Sequence, residues 1–176
     1  MDIVPDSKDW TWVLRRPCPE CGLDVGQISP ESVAGMVADV TGGWVDVLSE
    51  PRDLRHRSTP SEWSPLEYAC HVRDVFRRFD ERLRLMLAED DPLFPNWDQD
   101  ATAVADRYGE QDPGTVEDDL RSAAEAFVAS LERVTAEQWE RTGRRSDGAH
   151  FTVTSLVRYF IHDPIHHLYD VTGQRS

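Results

Sequence analysis

Lysine is almost missing from this chain: Lys8 is the sole lysine among 19 basic residues. Basic residues as a whole are outnumbered by 33 acidic ones, leaving a formal charge of −14 at pH 7. A chain so charged repels polyanions except at a local patch, which argues against nucleic acid and anionic membrane surfaces as partners. No apolar run approaches the roughly 18 residues that a membrane span needs. The opening Met1-Asp2-Ile3-Val4-Pro5-Asp6 lacks the basic start and apolar stretch of a signal peptide, so a cytoplasmic location is expected. Cysteine is scarce: Cys18, Cys21 and Cys70 cannot all pair with one another. In a reducing compartment they raise the question of metal binding or reactivity rather than of a disulfide framework. No alternating segment of useful strand length and no internal repeat is visible. With one lysine and no nucleophile-elbow glycine motif, serine-based catalytic triads find no support.

What is present is helical. The 176 residues are 39% hydrophobic and 30% charged, which suits one soluble domain with a short extension. Residues 1–28 carry Pro5, Pro17, Pro19, Gly22 and Gly26 without a clean period. They read as an irregular arm in which Trp10 and Trp12 can pack onto something, leaving 29–176 as the domain proper. Ser29-Pro30-Glu31 signals a first helix, followed at helical spacing by Val33, Val37, Val40 and Trp44. Gly42-Gly43 inside that run either weakens it or lets a neighbour approach. Ser64-Pro65-Leu66-Glu67 is a capping box opening a second helix, which Asp90-Asp91-Pro92 ends. From Pro92 to Gly114 the pattern is lost, and a loop that long is functional or held by its own packing. A third helix begins near Thr115, Gly143 to Gly148 is a polar turn, and a fourth helix begins near Thr152 or Thr154 and ends at Gly173. Four amphipathic helices of this length predict an all-α, antiparallel four-helix bundle.

Histidine carries the candidate chemistry. His162 and His166 are four residues apart and share one helix face, a spacing that lets two imidazoles reach one cation. Two imidazoles leave a first-row metal short of protein ligands, and His71 near the start of the second helix is the obvious third. Three neutral imidazoles with an open position are a catalytic pattern. The competing reading is that paired histidines on an amphipathic helix are surface or cap residues. Glu67 and Asp74 flank His71, and Asp163 and Asp170 flank the other pair, as carboxylates that could orient ligating rings. His167 points about 100° away from His166; it is left out of the ligand set, as a packing residue or a nearby proton carrier. Cys18-Pro19-Glu20-Cys21-Gly22 reads as half of a zinc knuckle or as a redox pair, and Cys70 as a small buried hydrophobe.

The capped Trp63-Ser64-Pro65-Leu66-Glu67-Tyr68-Ala69-Cys70-His71, followed far downstream by His162-Asp163-Pro164-Ile165-His166-His167, resembles the DinB-like superfamily. That superfamily includes mycothiol and bacillithiol S-transferases and mycothiol-dependent maleylpyruvate isomerases. The resemblance implies a four-helix bundle with one divalent metal, commonly zinc or nickel, on three histidines: here His71, His162 and His166. It implies a low-molecular-weight thiol as cosubstrate, bound by its sulfur at the open metal position and attacking a small electrophile. In that arrangement the Pro92–Gly114 loop would cover the site, with Phe94 and Trp97 as apolar walls. A maleylpyruvate-type isomerase and a non-catalytic bundle binding a small ligand or partner chain are the alternatives. A homodimer is compatible with a single bundle.

Overall fold

Helical periodicity becomes helix in each of the four expected places. A computed structural model of the chain describes residues 9–175; Lys8, the rest of residues 1–8 and Ser176 lie outside the described residues. Helix α1, Val33–Ser49, follows a 3-10 turn at Pro30–Ser32 and buries Val33, Val37, Val40, Trp44 and Val47. Helix α2, Pro65–Ala88, opens with the predicted capping box: the Ser64 amide donates to Glu67 Oε2 (2.8 Å), and the Glu67 amide donates to Ser64 Oγ (3.4 Å). Two groups that a helix N-terminus would leave unpaired are thereby satisfied.

The Pro92–Gly114 segment is built rather than loose. It holds strand β1, Leu93–Phe94, then the short helix α3, Gln99–Ala105, capped by Asp98, and a 3-10 turn at Tyr108–Glu110. Helix α4, Pro113–Leu131, starts two residues before the expected Thr115, because Asp112 accepts the Thr115 amide at 2.9 Å and Pro113 fits the first helical position. Helix α5, Val153–Thr172, is capped by Thr152 and stopped by Gly173 at φ +70°.

Helices α1, α2, α4 and α5 form the bundle. Both α1 and α2 pack mainly on α4 and α5, so these two consecutive helices face each other across the core. Phe160 is its centre, with ring centroids 4.3 Å from Phe127 and 5.5 Å from Phe76. Gly43 lets α5 come close: a Cβ there would lie 2.6 Å from Leu168 Cδ2. Among the described residues no helix is long and apolar enough to cross a membrane.

A small sheet accompanies the helices. A three-stranded sheet joins β1 to β2, Thr142–Arg145, in parallel, and β2 to β3, His150–Thr152, antiparallel. Strands of two to four residues are too short for alternation to register, and the segment read as a polar turn is a hairpin.

The arm is docked, not free. Its 3-10 turns at Trp10–Leu14 and Val25–Gln27 lie on α5, Val13 and Val25 are buried, and Arg158 Nε donates to the Ile28 carbonyl at 2.8 Å.

Candidate metal centres

Two pairs of ligand-type side chains leave α5 one residue out of step. His162 and His166 form one pair and Asp163 and His167 the other, each spaced four residues apart. A rotation of about 100° per residue turns the pairs toward different neighbours. The first pair meets the arm. The second meets α2.

The three histidines expected to share one cation are therefore divided. Among the described residues, three groups bring their candidate ligand atoms within 4.8 Å of one another: Cys18–Cys21–His162–His166, His71–Asp163–His167, and Glu20–His166–Asp170. None contains His71 together with His162 or His166. The reason is the helical phase of α5, which aims residues 163 and 167, rather than 162 and 166, at α2.

His71 is held by its packing. The α2 capping box fixes the first turn, and His71 follows on the face toward α5, fully buried. Trp97 stacks on its ring (5.3 Å between centroids, 5° between planes), and Trp63 lies at 5.1 Å on a tilt. His71 Nε2 is 3.2 Å from Asp163 Oδ1, yet that oxygen and His71 Nδ1 are both buried without a hydrogen-bond partner. Burial would raise the Asp163 carboxyl, but His71 and His167 outweigh it and hold the group well below the usual carboxylate range. His167 Nδ1 is 2.9 Å from Asp170 Oδ2, which leaves Nε2, 3.9 Å from Asp163 Oδ1, as the ring's inward nitrogen.

Two cavities flank this group. One, of about 600 Å3, reaches Asp163 and is lined by Trp97, Phe79, Arg82, Arg145 and Tyr159. The other, of about 630 Å3, reaches His167 past Trp63, Tyr68, His56 and Arg52. Trp10 of the arm borders both. Arg82 is buried; its Nη2 donates to the Pro95 carbonyl (3.1 Å), its Nε has no partner, and no carboxylate pairs with it among the described residues. Burial and the neighbouring Arg145 push its guanidinium down to about 10.

Of the carboxylates expected beside the ligands, Glu67 and Asp74 fall outside these groups. Glu67 is engaged by Arg57 and by its own capping box, because the third helical position turns its carboxylate back toward Ser64. Asp74 points toward Arg73 and accepts the Tyr108 hydroxyl at 2.6 Å. Asp170 stands behind His167, and Asp163 enters a ligand group rather than supporting one. Trp97 stacks on His71 and lines the cavity that reaches Asp163, whereas Phe94 packs under the sheet near Phe151. Cys70 is buried, its thiol pushed up to about 12 by burial.

The Cys-x-x-Cys segment supplies two of the four side chains of the arm group. Cys18 Sγ is 3.6 Å from His166 Nδ1, and Cys21 Sγ is 3.8 Å from His162 Nε2. All four residues are buried.

Comparisons with known proteins bear on the fold. A family model described as the DinB superfamily matches residues 36–171. A solved structure, described as YfiT from Bacillus subtilis, a probable metal-dependent hydrolase with an unusual four-helix bundle topology, superposes with a TM-score of 0.76 at 18% identity. It covers 84% of this chain and 87% of its own. Comparison with curated proteins gives no match.

Proposed function

We propose that this chain, which belongs to the DinB superfamily, is a divalent-metal-dependent transferase that joins a low-molecular-weight thiol to a small anionic electrophile. The cation, zinc or nickel, would be held by His71, Asp163 and His167. The carrying observation is a ligand-type group lying where two cavities converge. Two donor atoms about 2.0–2.1 Å from one tetrahedral centre stand roughly 3.3 Å apart. His71 Nε2 lies 3.2 Å from Asp163 Oδ1 and 3.4 Å from Oδ2, with which it shares a hydrogen bond, and both spacings also suit two ligands of one ion.

Bound there, the cation would supply Lewis acidity and lower the pKa of a thiol at its open position. The protein's own groups do the rest. Asp170 accepts from His167 Nδ1 and so fixes which ring nitrogen faces inward. Trp97 and Trp63 keep water from His71. Arg82, a buried cation with no carboxylate partner, would take the electrophile's anionic group in the cavity that ends at Asp163. A second cavity on the His167 side leaves room for the thiol, for which a mycothiol-type molecule is the first choice. Paired cavities favour this reading over single-substrate hydrolysis, the activity in the description of YfiT.

The test is the zinc- or nickel-loaded full chain, assayed with small anionic electrophiles with and without a mycothiol-type thiol, beside Asp163→Asn. We expect turnover that needs both metal and thiol and falls by about 100-fold or more in the variant. Hydrolysis without thiol would overturn the transferase reading. Metal binding without any turnover would favour a non-catalytic binding bundle.

A further inference from the structure

We propose that Cys18, Cys21, His162 and His166 bind a second ion, a structural zinc that fastens the N-terminal arm to α5. The function proposed above uses none of these four residues. They come from two segments far apart in sequence, all four are buried, and their ligand atoms lie within 4.8 Å of one another.

The distances suit a tetrahedral zinc. A sulfur at about 2.3 Å and a nitrogen at about 2.0–2.1 Å from one centre stand roughly 3.6 Å apart. The sulfur–nitrogen separations in the structure, 3.6 and 3.8 Å, are hydrogen-bond contacts of the thiols and also lie close to that spacing.

The arm is also folded as a ligand loop. The Gly22 amide donates to the Cys18 carbonyl (3.0 Å), and the Cys18 amide donates to the Leu23 carbonyl (2.9 Å). This closes a tight turn that brings both sulfurs to one side. Gly22 completes it at φ +86°, a conformation that a side chain strains. The remaining nitrogen of His166 faces carboxylates, with Nε2 at 3.4 Å from Glu20 Oε2 and 3.7 Å from Asp170 Oδ1. Such carboxylates orient ligating rings in zinc sites.

Four protein ligands close the coordination sphere, which makes the site structural rather than catalytic. Zinc binding displaces one proton from each thiol and forms four coordinate bonds without any redox step. Its consequence reaches the catalytic cavities. Trp10 lies 5.7 Å from His162 and 5.1 Å from His166 between ring centroids, so fixing those rings fixes a wall shared by both cavities.

The test replaces zinc with cobalt(II) in the full chain and reads the absorption. Wild type and His167→Ala should both show tetrahedral cobalt bands with intense thiolate-to-cobalt charge transfer, and Cys21→Ser should lose the charge transfer. If Cys21→Ser does not fold, alkylation of wild type followed by mass spectrometry decides. Cys18 and Cys21 should resist alkylation until a chelator removes the zinc. Cobalt binding without a thiolate band, equal alkylation with and without chelator, or a Cys18–Cys21 disulfide in freshly purified protein would each overturn the proposal. His167→Ala losing the thiolate band together with Cys21→Ser would overturn it too, since the two groups would then be one site.

Discussion

Helix α5 presents two ligand faces, and they differ in what covers them. Residues 162 and 166 lie beneath the arm, where Cys18 and Cys21 complete a set of four buried side chains, with His166 also on the wall of the cavity that reaches His167. Residues 163 and 167 are joined by His71 of α2 in a group of three ligand-type side chains and open on two cavities. A shift of one residue along the helix, about 100° of rotation, separates a closed set from an open one. A closed set holds an ion for stability, and an open one leaves a position for chemistry. The comparison teaches that coordination number, set by the neighbouring segments, assigns the roles more surely than the histidine spacing does.

The sharpest way to break it is to damage the four-ligand face. Cys21→Ser should lower stability by several kcal/mol, on the order of 10 °C in Tm, measured by calorimetry. The same variant should release the arm to proteolysis. Damage to the open face should act in the opposite sense. His167→Ala should abolish metal-dependent turnover by about 100-fold or more while lowering Tm by only a few degrees. Equal Tm losses in the two variants would erase the distinction between the faces.

A smaller effect tests the cavity on the open side. Arg82 is a buried cation without a carboxylate; the Phe79 and Phe94 rings and the Pro95 carbonyl offset part of the cost of its burial, and an anionic ligand would offset more. Arg82→Met should leave Tm unchanged or raise it by about 2–4 °C, while KM for an anionic electrophile rises by roughly 10-fold or more with the lost charged hydrogen bond. The smallest effect concerns the scaffold behind His71. Burial would raise the Asp74 carboxyl, but Arg73 and the Tyr108 hydroxyl hold it below its ordinary value of 3.8. Its stabilisation is therefore full above that pH and is lost as the pH falls through the lower folded value. Urea midpoints should fall below about pH 4 in wild type, and Asp74→Asn should start lower and vary less.

How much of this the sequence disclosed follows the range of each signal. Capping boxes and apolar stripes are local, and they marked α1, α2 and α5 closely. Asp112 with Pro113 was equally local but was passed over in favour of Thr115. The sheet was hidden because its strands are shorter than any period they could display. At the site, His71, His162 and His166 were picked as metal-ligand types, but grouping them was a question of helical phase. The six residues His162 to His167 contain two overlapping four-residue spacings, and the sequence holds nothing to say which one turns toward α2. Asp163 and His167 were accordingly given supporting roles. The Cys-x-x-Cys segment looked like half a site because its other half lies about 140 residues away on α5, a pairing that only tertiary structure makes.

Elemental analysis of tag-free protein tests the two-site account most directly, with wild type, Cys21→Ser, His167→Ala and His71→Ala measured side by side. The account predicts about two divalent ions per chain in wild type and about one in each variant, with zinc persisting in the two histidine variants. One ion in wild type, lost alike from His71→Ala and Cys21→Ser, would contradict it and place His71 and the arm around a single metal.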